Sequence, residues 1–223
     1  MSRTLLLALV SVALACGGSK PEPRSITVRD LIAERALSGA RPDSFTSAAD
    51  HGRISGDSTA KVWVVVVSDF QCDECKRWYE QVFPVIRNEY VATGRVRVAF
   101  LSVPQPAHLN GVPSALAAAC ASQQGKFWET ADRIFATQAQ WKGLPDARPF
   151  LDSLAIAGGA DATRQRLCTE RALGMKLIRT DTKRAEAAGV DSVPTFFVGS
   201  HKLVGRVSIA SLRATLDSVL AGK

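Results

Sequence analysis

Histidine is scarce in this chain: its 223 residues include only His51, His108 and His201. Structural zinc takes four ligands, usually in two closely spaced pairs, and three scattered histidines beside five cysteines supply no second pair, so no metal is expected. A basic run interleaved with aromatics is also missing. The net charge of +7 and the pI of about 9.4 therefore read as a solvated basic surface, and nucleic acid is not an expected partner. No apolar run reaches the roughly 20 residues that a spanning helix needs, and no internal repeat or low-complexity block occurs. What is present is globular: 46% hydrophobic and 22% charged residues, with length for a signal segment and one domain.

The amino terminus reads as a processed segment. Residues 1–3 (MSR) are a basic lead and residues 4–15 (TLLLALVSVALA) an apolar run of the kind found in secretory signals. Ala13-Leu14-Ala15-Cys16 resembles the lipobox of bacterial lipoproteins, with Ala13 at the usual aliphatic position. That resemblance implies cleavage before Cys16, lipid on Cys16, and a protein tethered to a membrane on the periplasmic or extracytoplasmic face of a bacterial envelope. The alternative is an ordinary signal peptide that leaves Cys16 as a free thiol, a liability in an exported protein. Residues 17–25 form a Gly- and Pro-containing tether, residues 26–37 have helical spacing, and residues 38–58 read as irregular apart from a short strand at 53–55. The expected division is 1–15 signal, 16–58 lipidated cysteine, tether and extension, and 59–223 folded domain.

Residues 62–67 (VWVVVV) form a continuous β-branched run, the pattern of a strand buried on both faces. The run leads through Ser68-Asp69-Phe70-Gln71 into Cys72-Asp73-Glu74-Cys75, and residues 76–90 continue at helical spacing with a kink expected at Pro84. A C-x-x-C at a strand-to-helix junction places the first thiol where unpaired N–H groups and the helix dipole favour a thiolate. Cys72 is then the accessible nucleophile and Cys75 the shielded resolving thiol. Half a zinc site and a purely structural bridge are the competing readings.

Downstream, residues 189–199 (GVDSVPTFFVG) carry a polar turn into Val193-Pro194 and then a short aromatic strand. Here the chain resembles the DsbA-like branch of the thioredoxin superfamily, in which a C-x-x-C strand-helix unit is followed by a helical insertion and a cis-proline loop. Residues 113–135 (PSALAAACASQQGKFWETADRIF) and 164–170 (RQRLCTE) resemble parts of that insertion, expected over about 108–188. Residues 201–207 fit the final strand and 208–220 an amphipathic helix. The resemblance covers residue 61 to the carboxyl terminus. It implies an α/β thioredoxin-like fold, Val193 and Pro194 facing the cysteine pair and meeting substrate backbone, and, as in some relatives, a structural disulfide between Cys120 and Cys168. A trans proline opening an edge strand and two separate buried thiols are the alternatives.

Departures from the family pattern are visible as well. Asp73 and Glu74 stand where strongly oxidising members have Pro-His, and their charges are expected to raise the pKa of Cys72. Val66 occupies the position, six residues before Cys72, where relatives often carry a buried carboxylate. Asp69 is a weak substitute and reads better as a turn residue capping the active-site helix. Phe70, Trp78 and Val193 are candidates for an apolar rim, with Trp78 read as core. The resulting expectation is a thiol–disulfide oxidoreductase that needs no cofactor. It acts on exported proteins with free thiols or disulfides, as an oxidant working with a membrane redox partner. A tethered reductase or isomerase, and a non-catalytic binding module stapled by Cys72–Cys75, are the alternatives.

Overall fold

The computed structural model describes residues 44–222. The signal segment, Cys16, the tether and the helix expected over 26–37 lie outside the described residues.

The apolar run forms β2 (Val62–Ser68), buried over its last five positions. It lies at the centre of a five-stranded sheet, with β1 (Ile54–Ser55), β3 (Val96–Ser102), β4 (Thr195–Val198) and β5 (His201–Val204) in the order β1-β3-β2-β4-β5. β2 runs parallel to β3, with Val66 opposite Phe100, and antiparallel to β4, with Val66 opposite Phe196. Strand alternation sends Val64 and Val66 into an aromatic core with Phe70, Phe127 and Phe135, and Val65 and Val67 to the other face with Ala99, Leu101, Ala185 and Phe197. A strand clothed on both faces has no use for polar side chains, which accounts for its composition.

The helix expected over 76–90 is interrupted. α2 (Asp73–Gln81) ends at Val82, whose N–H still bonds Trp78 O at 2.9 Å, and α3 (Phe83–Ile86) restarts with Pro84 in its first turn before a π turn at Arg87–Val91. Pro84 has no N–H to continue the α2 ladder, and its ring would meet the carbonyl one turn back.

The insertion is helical: α4 (Gly111–Ser122), α5 (Phe127–Ala136), α6 (Gln138–Trp141), α7 (Arg148–Ala157), α8 (Ala162–Glu170) and α9 (Met175–Ala187). Cys120 on α4 and Cys168 on α8 are joined by a disulfide, with Cα atoms 5.8 Å apart. The strand expected over 201–207 ends at Val204; the next residue, Gly205, has φ 74° and donates its N–H to Pro194 O at 2.8 Å. α10 (Ile209–Leu220) follows, capped by the Ser208 hydroxyl on the Ser211 N–H.

Residues 44–52 depart from the irregular conformation expected of them. They form α1 (Ser44–Gly52), which buries Thr46 and Ala49 against α4 and α9. The segment lacks a long apolar run because it uses small residues to approach closely. A Cβ added to Gly52 would lie 2.1 Å from Ser122 O. Arg53, immediately after α1, is buried between Asp50 and Asp181 of α9, with Nη2 2.7 Å from Asp181 Oδ1; Asp181 Oδ2 also accepts the Ser102 N–H of β3 at 2.9 Å. One buried ionic cluster thus ties α1, α9 and the sheet together.

Candidate active site

The end of β2 turns through Asp69-Phe70-Gln71, with the Cys72 N–H bonded to Asp69 O at 3.2 Å, and sets Cys72 as the N-cap of α2. Cys72 Sγ accepts the Cys75 N–H at 3.4 Å. Opposite it lies the loop before β4, where the Val193–Pro194 peptide bond is cis and Val193 O is 3.8 Å from Cys72 Sγ. Cys72 is half-buried and Cys75 fully buried, both as free thiols. The structure therefore brings together Cys72, Cys75, Val193 and Pro194, residues separated by well over a hundred positions.

The electrostatics differ from the expectation drawn from Asp73 and Glu74. The Cys72 thiol is lowered from its ordinary value of 9.0 to about 6, chiefly by the hydrogen bond from Cys75. Burial opposes this, the backbone N–H groups of Cys75 and Glu74 add to it, and the Asp69 charge resists it. The acidic dipeptide does not raise Cys72 because both carboxylates are turned outward and paired. Asp73 Oδ1 meets Lys142 Nζ at 2.9 Å, and Glu74 is held by Arg206 at 2.9 Å and Arg77 at 3.0 Å. Arg77 is one helical turn from Glu74, but Lys142 and Arg206, 69 and 132 positions from their carboxylates, could not be assigned from the motif. Cys75 moves the other way, raised well above the ordinary value by burial and by its contact with Cys72. Donors from the Asp69 backbone N–H and the Ser68 hydroxyl partly offset that rise.

Two further sequence readings are corrected. Asp69 does not cap α2, since Cys72 holds that position. Its side chain is instead fully buried, accepting N–H bonds from Gln71 at 2.8 Å and Gln105 at 2.7 Å and meeting His108 Nδ1 at 2.6 Å. Phe70 does not rim the site, since it stacks on Phe100 at 5.2 Å, and Trp78 packs on Phe83 and Phe196 in the core, as its sequence reading expects. Val193 stays partly accessible, and Leu109 and Val112, which flank the start of α4 after His108, are exposed. In the sequence His108 stands out only as a possible metal ligand. Nothing local marks it, because its partner is 39 positions away. Gln138 is a similar omission: its amide donates to Phe70 O at 2.8 Å and Cys72 O at 3.2 Å, tying the insertion to the active-site turn.

Comparison with known proteins places this geometry in context. Disulfide bond formation protein D of Bacillus subtilis is 22% identical over 179 residues, covering 76% of this chain and 78% of that protein. The crystal structure of oxidised BdbD from Bacillus subtilis superposes with a TM-score of 0.71 at 19% identity, covering 77% of this chain and 95% of that one. A Na(+)/H(+) antiporter, NhaA 3 of Salinispora tropica, is 30% identical over 173 residues, 77% of this chain. The chain spans about a quarter of the length of such antiporter relatives. A family model described as thioredoxin matches residues 48–218, a span that contains every strand of the sheet and both halves of the site. The chain belongs to the thioredoxin family.

Proposed function

We propose that the protein is a thiol–disulfide oxidoreductase that oxidises exported proteins through Cys72 and Cys75. The observation that carries this reading is the Cys72 thiol, lowered to about 6 at the N-terminus of α2, beside a buried Cys75. In the oxidising direction a substrate thiolate attacks Cys72 of the Cys72–Cys75 disulfide. The S–S bond breaks, and Cys75 leaves as a thiolate that takes up a proton. A second substrate thiolate then attacks the substrate sulfur of the mixed disulfide and expels Cys72. Two electrons pass from the substrate dithiol to the protein. Stabilising the Cys72 thiolate makes it the better leaving group and the disulfide the stronger oxidant.

Val193 O and the chain before Pro194 lie beside Cys72, where an extended substrate could pair its backbone by β-augmentation. The family relationship supports the same reading, since relatives named for disulfide bond formation align over most of their length. Export through residues 1–15, lipid on Cys16, attachment to a bacterial membrane and reoxidation by a membrane partner belong to the proposal. They are supported by the lipobox resemblance of residues 13–16.

The test is the reduction potential of Cys72–Cys75 in the detergent-solubilised full chain, equilibrated with glutathione and read by thiol trapping. A value at or above about −180 mV supports the oxidant or an isomerase, and turnover with a reduced substrate separates the two. A value near about −270 mV transfers the assignment to a reductase. A pair that never titrates leaves a structural staple and removes the enzyme reading.

A further inference from the structure

Asp69 is a buried carboxylate that the exchange scheme above does not use. Its side chain has no solvent exposure, and two of its partners are neutral backbone amides, from Gln71 and Gln105. Its side-chain partner is His108, whose Nδ1 is 2.6 Å from Oδ2 and whose side chain is 28% exposed. The start of α4 is built to permit this contact. Gly111 is close enough that an added Cβ would come within 3.2 Å of His108 Cβ and 3.5 Å of Asp69 Oδ1. The backbone of Asp69 meanwhile holds the cysteine turn, through its carbonyl to the Cys72 N–H and its own N–H toward Cys75.

We propose that His108 is a positioning residue for the exchange reaction, balancing the charge of Asp69 so that the negative charge of the Cys72 thiolate can form beside it. The inference rests on the oxidoreductase reading and adds to it a residue that touches no substrate. A buried carboxylate next to a thiolate is a repulsive pair in a medium that screens poorly. An imidazolium bonded to Asp69 makes that unit neutral, whereas a neutral imidazole contributes only an N–H. His108 reaches solvent, whereas the Asp69 side chain does not. The other charged and titratable groups around this unit are Cys72 and Cys75 of α2, with Asp73 at the same helix end already paired to Lys142.

The experiment is the rate of iodoacetamide alkylation of Cys72 against pH in the reduced full chain, together with the reduction potential in glutathione. Asp69→Asn is expected to raise the alkylation rate near about pH 5 by about fivefold, and His108→Ala to lower it by about as much. In the Asp69→Asn background, His108→Ala is expected to have no further effect, as required when one residue acts only through the other. His108→Lys, a cation at the same place, restores the wild-type rate if positive charge beside Asp69 is what matters. Both single changes moving the rate the same way, or His108→Ala acting equally in both backgrounds, overturns the inference, because a loosened loop behaves so. A wild-type Cys72 that neither titrates nor equilibrates with glutathione instead removes the oxidoreductase reading beneath it.

Discussion

At Cys72, three hydrogen-bond donors outweigh burial and one carboxylate, and nearby ion pairs decide whether other charges join the contest. Lys142 and Arg206 keep Asp73 and Glu74 from acting on the thiolate, so Lys142→Ala is expected to raise the apparent pKa of Cys72 in alkylation profiles at low salt. Added salt should shrink that difference, as it does for exposed pairs. Cys72→Ser is expected to abolish exchange, while Cys75→Ser accumulates mixed disulfides visible by non-reducing electrophoresis. Turnover of model disulfides by Cys75→Ser at the wild-type rate would reverse the assigned roles. The lowered thiol also links to stability. A group held near 6 in the fold and near 9.0 when unfolded favours the folded reduced protein above about pH 9. That contribution disappears as pH falls through about 6. The urea midpoint of the reduced protein, taken relative to the oxidised one, is therefore expected to rise between about pH 6 and pH 9. Parallel curves would mean that Cys72 is not a stabilised thiolate.

Among the elements, α1 is held to the domain by charge as well as by packing. Arg53 is buried between Asp50 and Asp181, and Arg184 reaches Asp50 at 3.1 Å. Burial pushes the Asp50 carboxyl up, but Arg53 and Arg184 overcome it and hold the group below the usual carboxylate range. Replacing Arg53 with Met leaves the buried Asp181 with only the longer contact to Arg184, at 3.6 Å. The expected loss is about 3–5 kcal/mol of unfolding free energy, measured by urea denaturation. A loss under about 1 kcal/mol would mean that the cluster is already neutralised or hydrated. Similar logic governs the break between α2 and α3. Pro84 announces it in the sequence, but its position at Val82 depends on which carbonyl loses its partner.

For the molecule as a whole, the Cys120–Cys168 disulfide closes a loop of sequence separation 48 between α4 and α8. On the chain-entropy account, a loop of that length contributes about 4 kcal/mol. The Cys120→Ala, Cys168→Ala double variant is expected to unfold at correspondingly lower urea while leaving the potential of Cys72–Cys75 unchanged. A changed potential would couple the two cysteine pairs through the insertion. Gln138, bonded to Phe70 O and Cys72 O, marks where such coupling would run.

The sequence by itself determined the pieces whose physics is local. The β-branched run of β2 is buried on both faces, C-x-x-C sits at its exit, and Thr195-Phe196-Phe197-Val198 is a strand. Periodicity and turn chemistry act over a few residues, so they are legible without the fold. Tertiary structure alone decided the partners. It turned Asp73 to Lys142 and Glu74 to Arg206, buried Asp69 against His108, sent Phe70 into the core, and folded residues 44–52 into a helix on α4 and α9. The sign of an electrostatic effect depends on distance and burial, and neither is written in the order of residues.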